Sequence, residues 1–269
     1  QLSWLNFYTI LPVGSDLWVG TYNNGIFVVD KKSGKVKERK QIPSQRIIKI
    51  ANAPDGTIYV GTGSGLFIYD RKSDSFKYDE GIGNTMVYAF CFASDGSTWI
   101  GTYRDGLYIR EAGSDRYEHL NAAESKGEKL RSDYITNIFE DLDHNIWIAS
   151  EGGCISGIAL SDPKRTVTNY GHSEGFPTNT ASSIIQDNRG YLWIGTKGSG
   201  VFMSKNKINC SNLASENLMF VKCGDIKDIE SSALQANNNT YSLIEDHNGN
   251  IWAATYGNGL NRIRRTADG

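Results

Sequence analysis

One sentence of sequence, written six times, constrains the fold more tightly than any bulk property of the chain. The copies are LWVGTYNNGIFVVD from Leu17, IYVGTGSGLFIYD from Ile58, TWIGTYRDGLYIR from Thr98, IWIASEGGCISGI from Ile146, LWIGTKGSGVFMS from Leu192 and IWAATYGNGLNRI from Ile251. Each runs aromatic, aliphatic or Ala, Gly or Ala, Thr or Ser, a short loop, then Gly. The anchors Trp18, Tyr59, Trp99, Trp147, Trp193 and Trp252 are separated by 41, 40, 48, 46 and 59 residues, and of the six tryptophans only Trp4 stands outside the register.

What precedes each anchor repeats as well. RIIKIANAPDG, VYAFCFASDG, YITNIFEDLDHN, ASSIIQDNRG and TYSLIEDHNG are apolar-rich stretches ending in Asp, Asn or Gly. Gly and Asn accept the positive φ of tight reversals, so these are hairpin turns. Each unit therefore reads as strand A, turn, strand B with the aromatic, turn with Gly, and strand C. Variable stretches such as VKERKQI, DSFKYDE, DRYEHL, TVTNYG and LMFVKC follow as an outer strand D. Four antiparallel strands every 40–60 residues is the arithmetic of a β-propeller blade, and no 3.6-residue periodicity supports a helical solenoid. The expected fold is all-β, one propeller domain over residues 1–269 with six four-stranded blades, either closed or part of a seven-bladed ring. In strand B the aromatic and the Gly two residues on share a face, so the rings are expected in the core between blades, with Gly admitting the neighbouring strand.

Composition narrows the classes of function. The 269 residues carry 29 Gly and only 5 Pro, with 28 basic against 30 acidic side chains. Lys and Arg are scattered rather than gathered in the stripe that a phosphate backbone requires, so nucleic acid is not an expected partner. No run approaches the roughly 18 apolar residues of a membrane span.

Candidate chemistry is sparse. His119, His144, His172 and His247 lie in four registers without zinc spacing, so neither metal nor cofactor is expected. Gly61-Thr62-Gly63-Ser64-Gly65 and Gly198-Ser199-Gly200 match neither a phosphate loop nor a serine elbow, and read as B–C turns. Glu140-Asp141, Asp143 and Glu245-Asp246 fall in A–B turns, where Asp accepts from backbone amides. No acid–base pair is identified, and catalytic residues are expected to be none. Cys91 and Cys154 read as buried small hydrophobes, Cys154 in the Leu or Val position after the turn Gly. Cys210 and Cys223 enclose 12 residues, a spacing compatible with a disulfide in an oxidising compartment.

The string D-x-x-G-x-[LI]-W-I-G-T, then a loop and G-[LIV], is nearly complete at Asp187–Val201 and echoed at Asp246–Leu260. It resembles the two-component regulator propeller repeat of bacterial hybrid sensors, notably those of gut Bacteroidetes that control polysaccharide-utilisation genes. Departures are Tyr59 for Trp, Ala149 and Ala254 for the strand Gly, and Ala53 and Ala93 for the turn Asp. No Trp-Asp dipeptide of the WD40 kind occurs, and paired glycines of the kelch kind occur only at Gly152–Gly153.

The resemblance implies a periplasmic sensor region with a neighbouring propeller, an immunoglobulin-like domain, a membrane helix and intracellular kinase and regulator modules. The chain is accordingly expected to be a segment of a longer receptor, itself without enzymatic activity, with a homodimer left open. Its sixth unit ends after strand C, and the N-terminal QLSWL is expected as a source for the missing outer strand. Extra residues sit in the D–A connections 121–132, 171–181 and 206–239. The B–C turns add Tyr22, Asn23, Asn24, Tyr103, Arg104, Asp105, Glu151, Lys197, Tyr256 and Asn258. Aromatics stack on sugar rings, and the polar groups bond hydroxyls or acids. An oligosaccharide is therefore the expected ligand. The alternatives are a structural or protein-interaction propeller and, behind it, a carbohydrate-active lyase or hydrolase.

Overall fold

The computed structural model describes residues 5–123, 129–208, 213, 218–226, 229–231 and 239–265. Blade 1 consists of β1 (Phe7–Val13), β2 (Asp16–Thr21), β3 (Ile26–Asp30) and β4 (Val36–Lys40). Blade 2 has β5 (Ile47–Asn52), β6 (Ile58–Thr62), β7 (Gly65–Asp70) and β8 (Ser75–Tyr78). Blade 3 has β9 (Val87–Phe92), β10 (Thr98–Thr102), β11 (Leu107–Arg110) and β12 (Tyr117–Leu120). Blade 4 has β13 (Ile135–Glu140), β14 (Asn145–Ser150), β15 (Cys154–Ala159) and β16 (Thr168–Tyr170). Blade 5 has β17 (Ala181–Gln186), β18 (Leu192–Thr196), β19 (Gly200–Ser204) and β20 (Phe220–Lys222). Blade 6 has β21 (Ile229–Ser231), β22 (Thr240–Glu245), β23 (Ile251–Thr255) and β24 (Gly259–Arg265). All six sheets are four-stranded and every pairing is antiparallel, giving the six blades of an all-β propeller. The chain divides into two compact units: residues up to Phe92 with Gly96–His119, and Ala93–Asp95 with the residues from Leu120 onward.

Blade 6 corrects one expectation. Its order is β21-β24-β23-β22, so the outer strand comes from the segment before strand A, and Ile229 pairs with Arg265. The outer position expected for the N-terminal QLSWL is thus taken by β21, and residues 1–4 lie outside the described residues. The 59-residue spacing between Trp193 and Trp252 is thus long because it holds two outer strands, β20 of blade 5 and β21 of blade 6.

The anchors pack between blades as their register requires. In the first unit, Trp18 meets the ring of Tyr69 edge-on at 4.8 Å and lies near Phe76 of the next blade. Tyr59 similarly meets Phe92 at 5.1 Å. In the second, Trp193 is buried with Leu243, Ile251 and Ile263 of blade 6. The small residue two places on receives the first residue of the next strand A. A Cβ on Gly20 would lie 2.5 Å from Ile47 Cγ2, and one on Gly61 2.7 Å from the Val87 carbonyl oxygen. Blade 4 carries Ala149 there and remains closed, because the facing first residue of β17 is the small Ala181 in the same buried cluster.

The turn carboxylates do more than bond backbone amides. Asp187 Oδ1 accepts from the amides of Arg189 and Tyr191, and its Oδ2 accepts the indole N–H of Trp193 at 2.9 Å. Asp141 holds Trp147 at 2.7 Å and Asp246 holds Trp252 at 2.8 Å in the same way. The indole bond keeps the Asp246 carboxyl well below its usual range, reinforced by the Asn250 side chain. A second device runs between consecutive turns. Glu140 accepts from the Ser94 amide, Gln186 from Leu142 and Glu245 from Asn188. Glu140, Asp141, Glu245 and Asp246 are therefore committed to holding turns and blades.

Candidate functional site

The B–C end of every blade is built on one hydrogen bond. The hydroxyl of the residue ending strand B donates to a carbonyl four, or in blade 2 three, residues on: Thr21 to Gly25, Thr62 to Gly65, Thr102 to Gly106, Ser150 to Cys154, Thr196 to Gly200 and Thr255 to Gly259. The accepting residue has positive φ in each of the five described glycines, and in blade 4 it is Cys154 at φ +63°. This corrects the expected register: Cys154 takes the turn-glycine position and Ile155 the apolar position after it, since Ser150 pairs with Cys154 and Ala149 with Ile155. Burial pushes the Cys154 thiol up to about 12, which leaves it unreactive near neutral pH. Cys91 is half-buried.

The strand A partner is irregular at the same end. The register slips between Phe7 and Thr9, Ile47 and Lys49, Ile135 and Asn137, Ala181 and Ser183, and Thr240 and Ser242, and in blade 3 across Tyr88. Such a bulge leaves one residue outside the ladder and re-aims its side chain. The residues are Tyr8, Ile48, Tyr88, Thr136, Ser182 and Tyr241. The residues opening the B–C turns are Tyr22, Gly63, Tyr103, Glu151, Lys197 and Tyr256.

In the first unit these positions make two ring stacks. Tyr22 lies 5.3 Å from Tyr8 at an interplanar angle of 27°, and the Arg46 guanidinium sits 4.5 Å from the Tyr22 centroid. Tyr103 lies 5.7 Å from Tyr88 at 26°, with the Arg104 guanidinium 5.2 Å from its ring and Arg104 itself at φ +75°. Asn23 is exposed, while the Asn24 amide donates to Thr21 Oγ1. Asp105 turns towards the outer strands, where it accepts from the Tyr108 hydroxyl at 2.7 Å and approaches His119 at 3.5 Å. Burial and that bond raise the Tyr108 pKa.

The second unit differs. Glu151 and Lys197 of adjacent blades pair with each other at 2.9 Å. Tyr256 is 68 % exposed with Tyr241 at 6.2 Å, and Asn258 is exposed. Of the long connections, 171–181 turns inward: Phe176 is buried among Tyr170, Phe202 and Phe220. Residues 124–128 and most of 209–238, including Cys210, lie outside the described residues. Among the described residues no His, Cys, Asp and Glu side chains gather into a group able to hold a metal ion. A separate pocket of about 640 Å³ opens on the flank of the first unit, lined by Lys77, Asp79, Arg110, Asp115 and Tyr117.

Sequence reasoning passed over Tyr8, Tyr88, Tyr241 and Arg46. A signal existed: the second residue of strand A is Tyr in FYT, VYA and TYS, the three blades whose B–C turn also opens with Tyr.

Three stretches, residues 81–104, 175–198 and 234–257, match the two-component regulator propeller. No curated protein matches the sequence. Among solved structures it is similar to the extracellular domain of the hybrid two-component system BT3049 from B. thetaiotaomicron, at 20 % identity and TM-score 0.71, over 98 % of this chain and 39 % of that one. It is also similar to PorZ of Porphyromonas gingivalis, a surface component of the type-IX secretion system, at 18 % and 0.67 over 98 % and 39 %. A third is virginiamycin B lyase from Staphylococcus aureus, at 14 % and 0.71 over 97 % and 83 %. At these identities the likeness is one of fold, and the chain spans about two fifths of the first two proteins.

Proposed function

We propose that this chain is a ligand-sensing propeller in the periplasmic part of a hybrid two-component receptor, and that it recognises a saccharide at the B–C ends of its blades. Binding there would be passed to intracellular kinase and regulator modules to control polysaccharide-utilisation genes. The repeat and the similarity to a receptor's extracellular domain support the receptor reading. The observation that carries the saccharide reading is the pair of accessible tyrosine stacks in the first unit, at 5.3 and 5.7 Å, bordered by guanidinium groups. Flat aromatic faces take the apolar face of a pyranose, and the polar edges of Arg and Asn take its hydroxyls. The acidic residues of the A–B turns hold indoles and neighbouring turns, which weighs against hydrolase or lyase chemistry at the A–B end.

Calorimetry of the purified chain against oligosaccharides drawn from plant, host and microbial polysaccharides tests the reading. Saturable heat without new reducing ends or unsaturated products is expected. Product formation would replace the sensor with an enzyme, and silence across the panel would favour a structural or protein-interaction propeller. A disulfide between Cys210 and Cys223 would fit this location, and thiol titration after unfolding without reductant tests it: four free thiols would contradict it.

A further inference from the structure

The two stacks of the first unit are not alike by accident of composition, because blade 2 is modified to complete one of them. Gly63 holds the position that Tyr22 and Tyr103 hold in the blades on either side. Its amide donates to the Arg46 carbonyl at 2.9 Å, and a Cβ on it would lie 2.9 Å from Arg46 Cδ and 3.3 Å from Cβ and Cγ of the same side chain. With no side chain at residue 63, the Arg46 stem lies across this turn and its guanidinium sits over Tyr22, 4.5 Å from the ring centroid. The Arg46 Nε is buried and meets no hydrogen-bond acceptor within the protein. The terminal nitrogens of a guanidinium carry parallel N–H donors that match a carboxylate or sulfate. The Arg104 guanidinium lies 5.2 Å from the Tyr103 centroid. The one carboxylate in these two turns, Asp105, is turned away onto Tyr108.

We infer that the B–C end of the first unit selects saccharides bearing anionic substituents, uronate or sulfated sugars, with Tyr8–Tyr22 and Tyr88–Tyr103 as ring platforms and Arg46 and Arg104 as the anion contacts. This rests on the saccharide reading above and assigns its ligand class. Tyr8, Tyr88 and Arg46 enter the site because the strand A bulge turns the tyrosines towards the B–C turns. Gly63 is a positioning residue that acts through Arg46.

The test is calorimetry of the chain with oligogalacturonates, alginate oligomers and sulfated chondroitin oligomers, each beside its methyl-esterified or desulfated counterpart. At least one anionic oligomer should bind about tenfold or more tighter than its neutralised partner, with the difference shrinking as salt rises. Arg46→Gln should abolish that preference. Gly63→Ala should reduce it while leaving the thermal midpoint close to that of the parent, and Arg46→Lys should retain only part of it because the stacked fork is lost. Equal binding of charged and neutralised partners overturns the inference while leaving the saccharide reading intact. An anionic preference untouched by Arg46→Gln and Arg104→Gln places the anion contact elsewhere and also overturns it. Absence of binding to every oligomer, charged or neutral, brings down both.

Discussion

The two units fasten the same blade in different ways. Blades 4, 5 and 6 place an Asp six residues before the anchor Trp, and the carboxylate takes the indole N–H together with turn amides. Their strand A ends, Glu140, Gln186 and Glu245, then accept an amide from the preceding A–B turn. The first unit has Pro12 and Ala53 at the corresponding places in blades 1 and 2. There Trp18 is held by Tyr69, Phe76 and the Lys40 ammonium 5.6 Å from its ring, and Tyr59 by Phe90, Phe92 and Arg110. In blade 3 the Trp99 indole bonds Ser97 instead, at 2.8 Å. Aromatic packing there fills the space around the ring, the part of the anchor's role that depends on burial rather than on the carboxylate clamp. The units also divide at the B–C end, where the first displays ring stacks with guanidinium groups and the second closes Glu151 on Lys197.

The comparison predicts unequal costs for removing one acceptor. Asp187→Ala strands a buried indole N–H and two turn amides, and should lower stability by about 3 kcal/mol, read from denaturant unfolding of the purified chain. Ser97→Ala removes the hydroxyl that accepts from the Trp99 indole, and should cost about 1 kcal/mol in the same experiment. Equal losses would mean that the clamp contributes no more than any single hydrogen bond, and the contrast between units would dissolve. The smallest effect is expected in acid. Because the folded Asp246 pKa lies below its ordinary 3.8, its contribution is complete above that value and declines only as pH falls towards the lower folded pKa. The Trp252 indole proton, followed by NMR, should keep its native shift as pH passes below 3.8. A change centred at or above that pH would show that the carboxylate is not held by the indole.

These contrasts also separate what was legible from what was not. The six anchors, the small residue two places on and the hairpin turns could be read directly, because each copy repeats residues whose packing or φ admits few substitutes. The indole clamp had a signal in the constant Asp-to-Trp interval, yet an Asp in a hairpin turn already has a sufficient backbone role, so the second bond was invisible to local reasoning. Cys154 was misplaced because the adjacent Gly152 and Gly153 offered a more familiar turn residue, and no local rule puts a non-glycine at φ +63°. The three-residue β21 is too short to carry an alternation pattern. Tyr8 and Tyr88 were missed because a bulge inverts the facing that period-two alternation assigns, and nothing in FYT or VYA marks a bulge. The fold was therefore written in the repeat, whereas the site lies where individual blades depart from it.

The central claim is that recognition occupies the B–C end of the first unit while the A–B clamps only hold the scaffold. Hydrogen–deuterium exchange on the protein, free and saturated with whichever oligosaccharide calorimetry identifies, tests this in one measurement. The account predicts new protection in peptides covering Tyr8, Tyr22–Gly25, Gln45–Gly65 and Tyr88–Gly106, with the turns at Asp141–Trp147, Asp187–Trp193 and Asp246–Trp252 unchanged. Protection confined to those three turns, with the Tyr22 and Tyr103 peptides exchanging as in the free protein, would contradict it.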